Sequence, residues 1–218
     1  MSQTIMRALI TLLAGATLLA APGCISLLPE TEPDALYRLN TGEAPQTRLV
    51  DGAQTVIVGR IAAPRGLAGD SIALLREGRI AYMAGAAWLS PGPEMLHAAV
   101  LDAMQASAPA LTPARAEDGV AARYHLDLEL RHFEADYDAG AGAAPLVRVG
   151  LRARLIDRDQ RSLIAARTLQ TSQRADANRQ GAIVDAFSGA ALEAASALAG
   201  WAEAEACRAD DAPSACQE

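Results

Sequence analysis

The longest alternation in the chain runs from Tyr124 to Tyr137. Leu126, Leu128 and Leu130 point one way and His125, Asp127, Glu129 and Arg131 the other, the period-two signature of a half-buried strand. Continued unbroken, that period puts His132 on the apolar side. Residues 146–156 alternate again, with Val147, Val149, Leu151, Ala153 and Leu155 inward and Arg148, Arg152 and Arg154 outward. Asp157-Arg158-Asp159-Gln160 reads as a turn and residues 161–172 as the return strand. Together these predict an antiparallel meander whose polar face sets Asp127 and Glu129 against the arginines of the neighbouring strand.

The first half is patterned differently. Residues 36–39 form a short strand candidate. In residues 54–61, Val56, Ile57, Val58 and Ile61 are nearly contiguous, which suggests a strand buried on both faces. Residues 71–75 and 79–83, joined by Arg76-Glu77-Gly78, read as a hairpin that ends at Gly85. Ser90 is the expected N-cap and Pro91 the first position of a helix over residues 92–107. Its apolar stripe is Leu96, Ala99, Val100, Ala103 and Met104. Pro109 and Pro113 then mark a loop that lasts to Gly119. A second helix is predicted over residues 177–205, capped by Asp176, with Ile183, Phe187, Ala190, Ala194, Leu198 and Trp201 on one stripe. The order β-ββ-α-βββ-α predicts a single α+β domain: a mostly antiparallel sheet with two helices packed on one face.

The N-terminus stands apart from this domain. Met1–Arg7 is a short basic segment, and residues 8–20 form a thirteen-residue apolar run. That run is shorter than the roughly 20 residues a membrane span needs, and it fits the apolar region of an export signal. Ala21-Pro22-Gly23 follow, and then Cys24. The arrangement resembles a bacterial lipoprotein signal, whose cysteine is diacylated and becomes the first residue after cleavage. It departs from that pattern in having Ala21 where Leu is usual, and an ordinary secretory cut after Ala21-x-Gly23 is the alternative. The lipoprotein reading divides the chain into a signal peptide (1–23), a lipidated tether (24–35), a folded domain (36–206) and a tail (207–218). The tether is rich in Pro and acidic residues, and its eleven residues beyond Cys24 reach about 36 Å when extended. In such lipoproteins an Asp after the modified cysteine marks inner-membrane retention. Ile25 and Ser26 stand here, so the resemblance places the anchor in the outer membrane, facing the periplasm.

Composition narrows the chemistry. Three cysteines are present, in a chain expected to be exported to an oxidising space. With Cys24 acylated, Cys207 and Cys216 are left to pair and to close the tail onto the last helix. The net charge is −7, the 19 Lys and Arg residues are all arginines scattered along the chain, and no basic run occurs. Nucleic acid and electrostatic docking on anionic lipid are therefore disfavoured. His125-x-Asp127-x-Glu129 offers metal-ligating atoms on one strand face, but an arginine-rich neighbour opposes a cation, and a salt-paired face is the expectation. His97 and His132 read as structural. Ser188 lies inside the last helix without the strand-to-helix turn of a nucleophile elbow. Gly140-x-Gly142 lacks the rest of a phosphate-binding loop. The expectation is a non-enzymatic protein without cofactor or metal.

The middle of the chain carries a resemblance. Tyr37-Arg38-Leu39 is followed by the Val56-Ile57-Val58 strand ending at Ala63-Pro64. Next comes the hairpin from Ile72 to Met83, then Trp88 and a Pro-rich lead-in to Met95-Leu96. This order resembles the PqiC-like auxiliary lipoproteins of ABC-type transport systems, in detail over residues 36–107 and beyond that in element order. Leu67-Ala68-Gly69-Asp70-Ser71 and Gly85-Ala86-Ala87 depart from the family's usual lead-ins to the hairpin and to the tryptophan. The resemblance implies a docking subunit that accompanies an ABC permease, an ATPase and an MCE-domain protein in lipid transport between membranes. It makes Trp88, with Tyr82 beside it, the first partner-contact candidate to test; the alternative for Trp88 is that it packs under the first helix as core. A scaffold or assembly factor for another envelope complex, or a stand-alone lipid carrier, is the alternative.

Overall fold

The computed structural model describes residues 34–42, 50–209 and 212–216. The expected signal peptide, Cys24 and the expected tether up to residue 33 lie outside the described residues. In chain order the elements are β1 (Ala35–Tyr37), β2 (Gln54–Val58), β3 (Ser71–Arg76), β4 (Arg79–Trp88), α1 (Gly92–Ser107), β5 (Leu111–Arg115), β6 (Tyr124–Asp136), β7 (Leu146–Asp157), β8 (Ser162–Arg174) and α2 (Gln180–Arg208).

The sheet is assembled on β6. Along one edge β7 pairs with it antiparallel from Tyr124↔Asp157 to Asp136↔Leu146, and β8 continues the meander. The other edge of β6 is shared by two strands running parallel to it. β2 lies beside its first half (Val56↔Tyr124), and β3 beside its end (Leu74↔Ala135). Between them Ala62 bridges Glu129, so β2 and β3 follow β6 as one interrupted strand. β4 folds back on β3, and β1 closes that side parallel to β4. On the far side of β2 lies β5, also parallel.

The α+β class and the two helices agree with the sequence reading, but the sheet is mixed and carries eight strands. Four strands, not the three of the expected order, precede the first helix, since 36–39, 54–61, 71–75 and 79–83 all contribute one, and the further strand is β5, in the stretch expected to be a loop. Pro113 is tolerated there because β5 is an edge strand, where a missing N–H breaks no ladder on the open side. β4 also runs past Gly85, to Trp88. Between Ala73↔Tyr82 and Ser71↔Ala87 the register jumps, so residues of β4 bulge out, and Gly85 takes φ +68° within that bulge. At the hairpin tip Glu77 and Gly78 both have positive φ, the geometry of a two-residue primed turn.

A second bulge, between Leu130 and His132, corrects the reading of β6. The extra residue shifts the alternation by one, so Phe133 and Ala135 face inward and His132 turns outward over Gly150. The helix starts also differ from expectation. Pro91, not Ser90, occupies the cap of α1, with Pro93 inside its first turn. The cap of α2 is Arg179, not Asp176, with no side-chain cap bond.

Leu126, Leu128 and Leu130 of β6 and Val147, Val149, Leu151, Ala153 and Leu155 of β7 form the sheet side of one core. Both helices bury their apolar stripes against it, and α2 packs on β7, β8 and α1. Its buried face is largely alanine, among them Ala190, Ala191, Ala194 and Ala195, which lets the helix axis approach the sheet closely. By length and composition α2 could cross a membrane, but 67% of its apolar window is buried inside the fold, as a core helix requires. Glu203 Oε1 accepts the Ala110 N–H at 2.7 Å and ties α2 to the start of β5. Cys207 and Cys216 are joined by a disulfide, with Cα atoms 5.7 Å apart, and it returns the tail to the end of α2.

Candidate partner-contact surface

The hairpin β3–β4 positions both residues singled out as partner contacts, and it separates them. Trp88 is 2% exposed. Its ring lies 5.2 Å from Phe187 of α2, edge-on, and 5.7 Å from Phe133 of β6, and those two rings are 5.0 Å apart. Both phenylalanines of the chain and one of its two tryptophans are spent on this contact. Trp88 is therefore packed as a core anchor, the alternative weighed for it from the sequence, and its buried ring leaves Tyr82 as the exposed member of the pair. α1 joins the cluster at Gly92, where a Cβ would stand 2.7 Å from the Phe133 ring.

Tyr82 is 50% exposed and lies on the outer face, across from Ala73. Its hydroxyl donates to Gly66 O at 3.3 Å. Ile80, on the same face two residues nearer the tip, is 48% exposed. Beneath Tyr82 a groove of about 330 Å³ runs between the hairpin and the start of α2. Its floor is tied together. Gln180 Nε2 donates to Ala84 O at 3.0 Å, Tyr37 Oη donates to Gln180 Oε1 at 3.2 Å, and Tyr137 Oη donates to Asn178 Oδ1 at 2.8 Å. Arg76 stacks over the Tyr137 ring at 4.5 Å. The bulged part of β4 is thus held to α2 by polar contacts and, through Trp88, to the core.

The nearby sheet edge adds to the apolar surface. Leu36 of β1 and Leu89, just past β4, are both exposed, and the Leu89 N–H donates to Tyr37 O. Sequence reasoning passed over Ile80, Leu36 and Leu89; their signal was apolar side chains at the solvent-facing parity of short strands.

The polar candidates resolve into structure. On the outer face of β6, Asp127 is paired with Arg154 at 3.1 Å and with His125 at 3.0 Å, and Glu129 with Arg131 at 2.6 Å. The first of these is the expected cross-strand pairing. Glu129 instead chose its own strand, leaving its register partner Arg152 unclaimed. Among the described residues no group of three or more His, Cys, Asp and Glu side chains is placed to hold a metal ion. His97 Nε2 lies 3.0 Å from Val58 O and links α1 to β2. Ser188 is buried, donates to Val184 O at 3.0 Å and accepts the Asn40 N–H at 2.9 Å, so it fastens the segment after β1 to α2.

Asp157, at the end of β7, is 1% exposed. Burial pushes its carboxyl up, but the Gln160 N–H, the Arg123 guanidinium and the Asp159 N–H outweigh this and hold it below the ordinary carboxylate range. At the opposite end of the meander Arg174 grips Asp138 with two bonds, of 2.7 and 3.0 Å, and holds that carboxyl, too, below the ordinary carboxylate range.

Comparison with known proteins agrees with this architecture. A protein of Xanthomonas campestris superposes with a TM-score of 0.69 at 22% identity, over 78% of this chain and 95% of that one. A Chlamydia trachomatis protein superposes with a TM-score of 0.51 at 12% identity, over 72% and 99%. These likenesses concern the fold. A Bradyrhizobium diazoefficiens protein of uncharacterised function is 30% identical over 114 residues, 52% of this chain and 30% of that relative's length. The family model described as ABC-type transport auxiliary lipoprotein component matches residues 37–199, from β1 to well inside α2. The chain belongs to the family of ABC-type transport auxiliary lipoprotein components.

Proposed function

We propose that this chain is the membrane-anchored, periplasm-facing auxiliary subunit of an ABC/MCE-type intermembrane lipid transport system. In this reading it is a docking subunit and not an enzyme. Acylated Cys24 holds it in the outer membrane, and the domain meets the periplasmic MCE-domain assembly, which in turn works with the permease and ATPase. The observation that carries the reading is the family match over residues 37–199. The surface favoured for docking is the hairpin face with Tyr82 and Ile80, because it joins exposed apolar area to a rigid base formed by Trp88 and Gln180.

The test is site-specific photocrosslinking in cells, with the full chain carrying the crosslinker at Tyr82, at Ile80 or at Glu193 on the outside of α2. Capture of an MCE-domain protein from Tyr82 and Ile80, and not from Glu193, is the expected result. If no MCE-domain protein is captured from any position and none co-purifies with the chain, the transport reading fails. Capture from Glu193 alone would move the docking surface to α2.

A further inference from the structure

The arginines that look scattered along the sequence are gathered by the register of the meander. Residues 146–174 hold seven arginines against two aspartates, in a chain of net charge −7. Two neighbouring grooves, of about 320 and 350 Å³, run over the outer face of the sheet and share Asp127. Arg60, Arg152 and Arg154 line the first, and Arg158 and Arg161 the second. The acids that line the grooves are already engaged, Asp127 by Arg154, Glu129 by Arg131 and Asp157 by Arg123, which leaves Asp159, in the turn between Arg158 and Arg161, as the nearby carboxylate without an ion pair among the described residues. Arg152, Arg158 and Arg161 are exposed and have no ion-pair partner among the described residues. Guanidiniums left without a carboxylate partner along one face raise its local potential, which an anionic ligand would neutralise.

We propose that this band is a second docking surface, distinct from the hairpin, and that its occupant is an extended acidic segment of a partner protein. The spacing suits such a segment. Arg152 and Arg158 are six residues apart on or just past one strand, about 20 Å, so carboxylates several residues apart on an extended chain would meet successive guanidiniums. The interleaved Asp127 and Glu129 make the band selective. They leave positive potential at discrete points, which fits spaced carboxylates better than the continuous phosphate plane of a bilayer. A bilayer also meets the acidic remainder of the domain, whereas a narrow segment meets only the band.

The proposal rests on the charge of this face and stands apart from the MCE reading. It is tested with the full chain and a fluorescein-labelled decaglutamate peptide, followed by fluorescence anisotropy, with phosphatidylglycerol vesicles in a parallel flotation assay. The unaltered chain should bind the peptide in low salt and release it as salt rises to 0.5 M. The triple variant Arg152→Glu/Arg158→Glu/Arg161→Glu should bind at least tenfold more weakly. Its neutral counterpart, with Gln at the three positions, should fall between the two. Arg208→Glu, at the end of α2, should bind as the unaltered chain does. All variants should keep the unaltered melting temperature, since these side chains are exposed. Equal peptide binding by the triple variant and the unaltered chain would overturn the proposal. So would vesicle binding lost in the triple variant when no peptide binding is seen in either.

Discussion

Trp88→Ala is expected to destabilise the domain by about 3–5 kcal/mol. The ring is buried where β4, β6, α1 and α2 converge, and its removal leaves Phe133 and Phe187 facing a cavity. Few other bulky residues are at hand to collapse into that space, because aromatics make up only 4% of the chain. The melting temperature should fall on the order of 10 °C, with the urea midpoint falling in proportion. Trp88→Phe should cost far less. The Trp88 Nε1 is buried and has no acceptor among the described residues, so the smaller ring gives up some packing but also an unsatisfied donor. If Trp88→Ala melted like the unaltered chain and lost only partner capture, Trp88 would be a contact residue after all and the core assignment would be wrong.

The second large effect is expected at Asp157. Its carboxylate accepts the Asp159 and Gln160 N–H groups at 2.9 Å and the Arg123 Nε at 3.0 Å, almost fully removed from water. Asp157→Ala removes the carboxylate from a mostly buried guanidinium and leaves two backbone donors at the β7–β8 turn without their acceptor, a loss of about 3 kcal/mol. The effect depends on pH, with a definite sign. The folded-state pKa lies below the unfolded value near 3.8, so the native state holds the proton less readily. The stabilisation is therefore complete above the unfolded value and is lost as pH falls through the folded value. Urea midpoints of the unaltered chain and the variant should differ by a constant amount from pH 7 to pH 5 and draw together below pH 4. A difference that grew towards pH 3 would contradict the assignment.

The meander was legible because one face of β6 and β7 is buried and the other is wet, which prints the period of two directly into Leu126 to Leu130 and Val147 to Leu155. The same exposure made the Asp127–Arg154 pairing predictable. The parallel strands were not legible. Val56, Ile57 and Val58 form a contiguous run that reports burial on both faces but not direction, and Pro113 masks an edge strand as a loop. Bulges were hidden for a related reason. One extra residue at Arg131 leaves no local mark in composition, yet it turns His132 outward and brings Phe133 under Trp88. Trp88 itself was ambiguous, since a large apolar residue at the end of a strand suits a core and an interface equally. The arginine band depended on register: Arg60 is far from Arg152 in sequence, and only the alignment of β2, β6 and β7 brings them to one groove.

The central claim is that the domain works while tethered by lipid at Cys24, and the most direct measurement is the mass of the N-terminal peptide from protein extracted from bacterial membranes with detergent. The account predicts a peptide beginning at Cys24 and carrying the added mass of acyl chains, with Cys24→Ser releasing the domain from the membrane fraction. An unmodified N-terminus at any other residue, in protein that does not sediment with membranes, would contradict it.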